Sequence, residues 1–121
     1  MKAETFDLLL LPGGPGVTRL RADGQAALEV KKFANAGKGI EAICAAPLVL
    51  ADAGVLKNRR FTAHFSTLSE LPEAQLGERV VEDGQLITAR GAGVALEFGL
   101  ALVNSLFGEA VEEEIARSIM A

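Results

Sequence analysis

Two side chains stand out as able to do covalent or proton chemistry, and each is alone of its kind in the chain: Cys44 and His64. Cys44 lies between an apolar segment, Gly39-Ile40-Glu41-Ala42-Ile43, and a helix-forming segment that opens on Pro47. A cysteine at such a strand-to-helix turn sits near unsatisfied amides and the positive end of the helix, a setting that favours the nucleophilic thiolate. Small Ala45 and Ala46 leave a substrate room to approach the sulfur. The same position also suits a cysteine that is only a small buried hydrophobe. His64 ends the segment Phe61-Thr62-Ala63-His64, and its titration range lets it serve as base or acid toward a substrate near Cys44. A structural or exposed loop histidine fits that position as well. One histidine and one cysteine fall short of the roughly three or four ligands of a protein-only zinc site, so no metal and no cofactor is expected.

The run Pro12-Gly13-Gly14-Pro15-Gly16 invites a phosphate-loop reading but lacks both glycine-rich nucleotide patterns. It is better suited to turning the chain sharply and bringing the amides of Gly13 and Gly14, with that of Ala45, close to Cys44, where they can stabilise an oxyanion in a bound substrate. Arg90-Gly91-Ala92-Gly93 is a second permissive turn, whose arginine either binds a carboxylate or is solvated. Glu41 interrupts an apolar strand. Period-two alternation turns it to the face opposite Ala42 and Cys44, and burial there predicts a polar partner, an interface or solvent on that side.

These residues need elements to hold them. Phe6 to Leu11 reads as a central parallel strand covered on both faces and stopped by the glycine-proline loop. Gln25 to Ala36 repeats apolar residues at helical spacing and ends at Gly37, and Pro47 to Ala51 begins a second helix closed by Gly54. Phe61 to His64 is a short strand candidate, and Ser66 to Gly77 a loop. Val80-Val81-Glu82 and Gln85-Leu86-Ile87-Thr88 flank Asp83-Gly84, the mark of a tight hairpin. Val94 to Phe107 is apolar nearly all round, which predicts a helix buried by more than one neighbour, whereas Val111, Ile115 and Ile119 give the last helix one apolar stripe. Strands alternating with helices predict an α/β sandwich with a mainly parallel sheet, in a single domain over residues 1–121.

Composition narrows the partners. A net charge of −4 with no run of Lys or Arg gives no electrostatic footprint for nucleic acid or an anionic membrane. The apolar stretches are too short or too interrupted to span a bilayer, and no signal segment precedes them. A soluble cytoplasmic protein is expected, and a lone cysteine suits that reducing compartment.

Taken together, Leu11-Pro12-Gly13-Gly14, Ala42-Ile43-Cys44-Ala45-Ala46-Pro47, Thr62-Ala63-His64, Thr88-Ala89-Arg90-Gly91-Ala92-Gly93 and Glu97-Phe98-Gly99 resemble, in order and spacing, the DJ-1/ThiJ/PfpI superfamily. The resemblance runs from about Phe6 to the C-terminus. It implies a flavodoxin-like sandwich, usually dimeric, with Cys44 at a nucleophile elbow. It further implies a cysteine-dependent activity of the glyoxalase III or deglycase type on small reactive carbonyls such as 2-oxoaldehydes. The alternative it implies is a redox-sensing or chaperone-like stress protein whose Cys44 is oxidised without turnover. Relatives begin with a further strand and helix whose glutamate contacts the cysteine. The chain has no counterpart of that region, so a truncated sheet is expected, completed by a second copy or a companion chain.

Overall fold

A computed structural model describes residues 5–121. Its strands are β1 (Leu8–Leu11), β2 (Gly39–Ile43), β3 (Val80–Asp83) and β4 (Leu86–Ala89), and its helices are α1 (Val17–Asp23), α2 (Gln25–Asn35), α3 (Pro47–Asp52), α4 (Ala95–Phe107) and α5 (Glu109–Ser118). They form one four-stranded sheet in the order β1-β2-β4-β3. β1, β2 and β4 run parallel, and β3 returns antiparallel beside β4. The expected α/β sandwich with a mainly parallel sheet is present.

Register assigns each side chain to a face. Leu9, Ile40 and Leu86 lie in one row and Leu11, Ala42 and Thr88 in the next, and this face packs on α1, α2 and α3 around Val30, Phe33, Val49 and Leu50, all fully buried. Arg21 of α1 reinforces that layer by reaching both Asp52 of α3, at 2.8 Å, and Glu70, at 2.9 Å. The opposite face carries the row Leu10, Glu41, Ile87, Glu82 and, beyond it, Ile43, Ala89 and Val80. Val94 and Phe98 pack on that face through Ile87 and Ala89.

Several elements differ from the sequence reading. The first strand begins at Leu8, and it is the edge of the described sheet, not a central strand. Its inward residues Leu9 and Leu11 are buried, but Leu10 on the other face is 44% exposed. The stretch Val17–Asp23 is a helix that polar Thr18, Arg19 and Arg21 hide from a pattern search. Phe61–His64 is extended without joining the sheet ladder, because the Thr62 N–H donates to the side-chain Oγ1 of Thr88 at 2.9 Å. The hairpin forms one residue later than expected: Asp83 pairs with Leu86, leaving Gly84 and Gln85 as the loop, with Gly84 alone at positive φ, 62°. The guanidinium of Arg59 clamps this turn through the Asp83 carboxylate and carbonyl.

The largest departure concerns α4. Its all-round apolar character predicts burial on several sides, yet Phe98 is its one buried residue, and Leu96, Leu106 and Phe107 are exposed. Leu10, on the sheet face that Val94 and Phe98 cover, is exposed as well.

Glu41 lies on that side too, opposite Ala42 as alternation requires. It has neither the polar partner nor the solvent expected for it. The side chain is fully buried, and neither carboxylate oxygen has a hydrogen-bond partner among the described residues. Burial, with a smaller contribution from the negative charge of Glu82, raises its pKa from 4.5 to about 7. A carboxyl whose folded-state pKa is raised adds stability below its unfolded value and loses it as pH climbs through the folded value. Stability should therefore fall between about pH 4.5 and 7, with Glu41 contributing a loss of about 3 kcal/mol. Urea melts of wild type and Glu41→Gln across that range test this: the wild-type midpoint should drop as pH rises, and the variant's should be nearly flat through the same window.

Candidate active site

Cys44 follows the last residue of β2 and holds φ at 65°, in the left-handed region that a non-glycine residue enters at a cost. Both of its backbone polar groups are anchored. Its N–H donates to the carbonyl of Ala89 at the end of β4, at 2.9 Å, and its carbonyl accepts from the His64 N–H at 2.8 Å. The Ala46 N–H then donates to the Ile43 carbonyl at 3.1 Å, closing a tight turn, and Pro47 starts α3 where its missing N–H costs nothing. This is the strand-turn-helix geometry of a nucleophile elbow, which lifts a side chain out of the sheet instead of folding it into the core. Cys44 is a free thiol and is partly exposed. α3 has only six residues, so no long helix dipole stands behind the sulfur.

The predicted glycine loop approaches this turn closely. A side chain at Gly13 would begin 2.6 Å from Cys44 Cβ and 2.9 Å from the Ile43 carbonyl oxygen, so only glycine permits this approach. The same point is 3.5 Å from the Ala45 nitrogen. Gly14 turns the chain away at a φ of 91°. The backbone N–H groups of Gly13, Gly14 and Ala45 have no acceptor among the described residues. Donors left free in a turn that meets Cys44 can receive negative charge.

His64 belongs to the same cluster. Its N–H is the donor to Cys44, and its carbonyl accepts from both the N–H of Thr67, at 3.0 Å, and its hydroxyl, at 2.8 Å. It caps a single 3-10 turn, Phe65–Thr67, in which the Ser66 N–H donates to His64 Nδ1 at 3.1 Å and the Ser66 hydroxyl lies 2.8 Å from the same nitrogen. The Phe65 ring stacks against the imidazole with centroids 4.3 Å apart. On its other side the ring meets the Arg90-Gly91 turn, where a side chain at Gly91 would begin 3.7 Å from Cδ2. Ser66 did not emerge from the sequence. The available signal was a hydroxyl residue two positions after the lone histidine, a spacing that favours local side-chain to backbone bonding.

Arg90 does not point a free charge at the cysteine: its guanidinium donates to the Leu76 carbonyl at 3.2 Å, and it borders a recess of about 150 Å³ with Arg79, Gly91, Gly93 and Val94. Among the described residues no three His, Cys, Asp or Glu side chains gather as a metal site, and no helix is long and apolar enough to cross a membrane.

Comparison with known proteins places this arrangement. Residues 1–105 match the sequence model of the DJ-1/PfpI family. The glutathione-independent glyoxalase DJR-1.2 of Caenorhabditis elegans is 35% identical over 111 residues, covering 89% of this chain and 59% of that protein. Deglycase PfpI of Pyrococcus furiosus is 33% identical over 93 residues, covering 74% of this chain and 56% of its own length. The crystal structure of Drosophila melanogaster DJ-1beta superposes with a TM-score of 0.89 at 33% identity, covering 98% of this chain and 67% of that one. The chain thus spans less than two thirds of the length of either curated relative. Such a match in sequence, with the flavodoxin-like fold shared at that similarity, leads to one conclusion: the chain belongs to the DJ-1/PfpI family.

Proposed function

We propose that the protein is a cysteine-dependent enzyme of the glyoxalase III or deglycase type, acting on small reactive carbonyls such as 2-oxoaldehydes. The observation that carries this reading is the elbow itself: a partly exposed thiol on a left-handed backbone, with Gly13 packed close to its Cβ and the amides of Gly13, Gly14 and Ala45 left without acceptors. The sulfur of Cys44, as thiolate, adds to the aldehyde carbon. The carbonyl π pair moves onto oxygen, and the amides, together with His64, stabilise the resulting oxyanion of a hemithioacetal. The glyoxalase and deglycase names of two relatives support the same class of chemistry. Each step uses side chains and amides of the chain and calls for neither metal nor organic cofactor. Cys44→Ala should abolish turnover of methylglyoxal, since a covalent route has no substitute for its nucleophile. Steady-state kinetics decide it, and equal activity in wild type and variant would end the covalent reading. Peroxide oxidation of Cys44 in a protein with no turnover of any 2-oxoaldehyde would favour the redox-sensing alternative instead.

The reading extends to assembly. The open edge of β1, the exposed Leu10 and the uncovered apolar residues of α4 favour a homo-oligomer in which a second copy covers that side, in place of a companion chain. Light scattering across a concentration series should report a dimer or larger species. A monodisperse 12.7 kDa particle at all concentrations would contradict it.

A further inference from the structure

His64 is conspicuous for what holds its ring. A backbone amide can only donate, so the 3.1 Å contact from the Ser66 N–H requires a lone pair on Nδ1. The Ser66 hydroxyl, 2.8 Å from the same nitrogen, can turn its proton toward that lone pair as well. Protonating Nδ1 would set two N–H groups head to head and lose the amide's acceptor. The imidazole proton therefore belongs on Nε2. Nothing opposes this arrangement from the other sides of the ring: Phe65 stacks on it, Gly91 lies near Cδ2, and among the described residues neither an ion pair nor a carboxylate hydrogen bond reaches it.

We propose that Ser66 is a positioning residue that locks His64 as its Nε2–H tautomer, so that the neutral ring serves as a hydrogen-bond donor to the substrate oxygen and not as a proton carrier. The inference rests on the hemithioacetal reading above and refines it. A neutral imidazole that gave up its Nε2 proton would become an imidazolate, which is far too basic to form here, whereas the same N–H can stabilise an oxyanion without leaving the ring. In the addition step the Cys44 sulfur forms the bond to carbon, the π pair moves to oxygen, and His64 Nε2–H joins the amides of Gly13, Gly14 and Ala45 in holding that charge. The proton that finally neutralises the oxygen comes from water, and His64 begins and ends the step unchanged.

The lone histidine makes the test direct. In nitrogen-15-labelled protein near pH 8, a long-range proton-nitrogen spectrum of the ring should show Nε2 protonated and Nδ1 bare. Ser66→Ala should keep that pattern through the remaining amide. A wild-type ring protonated on Nδ1, or averaging between the two tautomers, overturns the lock. Kinetics on methylglyoxal then read the role. His64→Ala should lose on the order of a hundredfold in kcat, the usual cost of one oxyanion donor. His64→Gln, which restores an N–H donor but cannot carry a proton, should recover to within about tenfold of wild type. Equal losses in the two variants would overturn the donor role. Absence of turnover in the wild type would instead defeat the glyoxalase reading, leaving the ring spectrum to decide the lock by itself.

Discussion

The site depends on how Cys44 is held at a backbone conformation it would not choose. A single non-glycine residue in the left-handed region costs about 1–2 kcal/mol and persists only where its surroundings over-determine it. Here the surroundings are the sheet. The parallel pairing of β2 with β4 brings the Ala89 carbonyl to the Cys44 N–H, and the extended segment after Phe61 brings the His64 N–H to the Cys44 carbonyl. One strained residue thus joins three separate stretches of chain, two by hydrogen bonds and the third by the close approach of Gly13.

Much of this was legible in the residues themselves. Gly13 is legible because a close backbone approach demands glycine, and the turn at Cys44 because an apolar strand there meets small residues and a helix-opening proline. The strand β4 is legible because Asp83-Gly84 marks a hairpin beside it, and β2 as a short apolar segment leading to the cysteine, whereas the continuous apolar run of Phe6 to Leu11, read as a central strand, ends in an edge strand. What escaped the pattern was either polar or non-repeating. The short helix α1 carries Thr18, Arg19 and Arg21 with Val17 as its one buried residue, so no apolar stripe announces it. The segment holding His64 satisfies its backbone through a threonine hydroxyl and a turn carbonyl, not through a ladder, and no periodicity records that. The hairpin loop lies one residue beyond Asp83-Gly84 because Asp83 gives its side chain to Arg59 and the Arg60 N–H while its backbone stays in the strand.

The two faces of the sheet present opposite situations. The face of Leu9, Leu11, Ile40 and Ala42 is sealed by three helices. The other is covered over β2 and β4 by α4 but leaves Leu10 open, and places a carboxyl, Glu41, where it meets neither water nor a donor. The apolar breadth of α4, read from sequence as a sign of several neighbours, is a property of the chain that this set of elements does not use up. Stability and chemistry are thereby separated in space: the sealed face and the anchored elbow support the site, while the open face carries the strain of an unpaired acid and the surface proposed for association.

The strain at the elbow can be measured without any assay of activity. Glycine is as comfortable as any residue at a φ of 65°, whereas alanine bears the same backbone penalty as cysteine. At an ordinary backbone position the order is reversed, with alanine the more stable of the two by about 0.4–1 kcal/mol. The sign of the stability difference between Cys44→Gly and Cys44→Ala therefore reports the conformation of this residue. The account predicts the glycine variant to be the more stable, by about 1 kcal/mol in denaturant unfolding; an alanine variant as stable as the glycine variant, or more so, would contradict it.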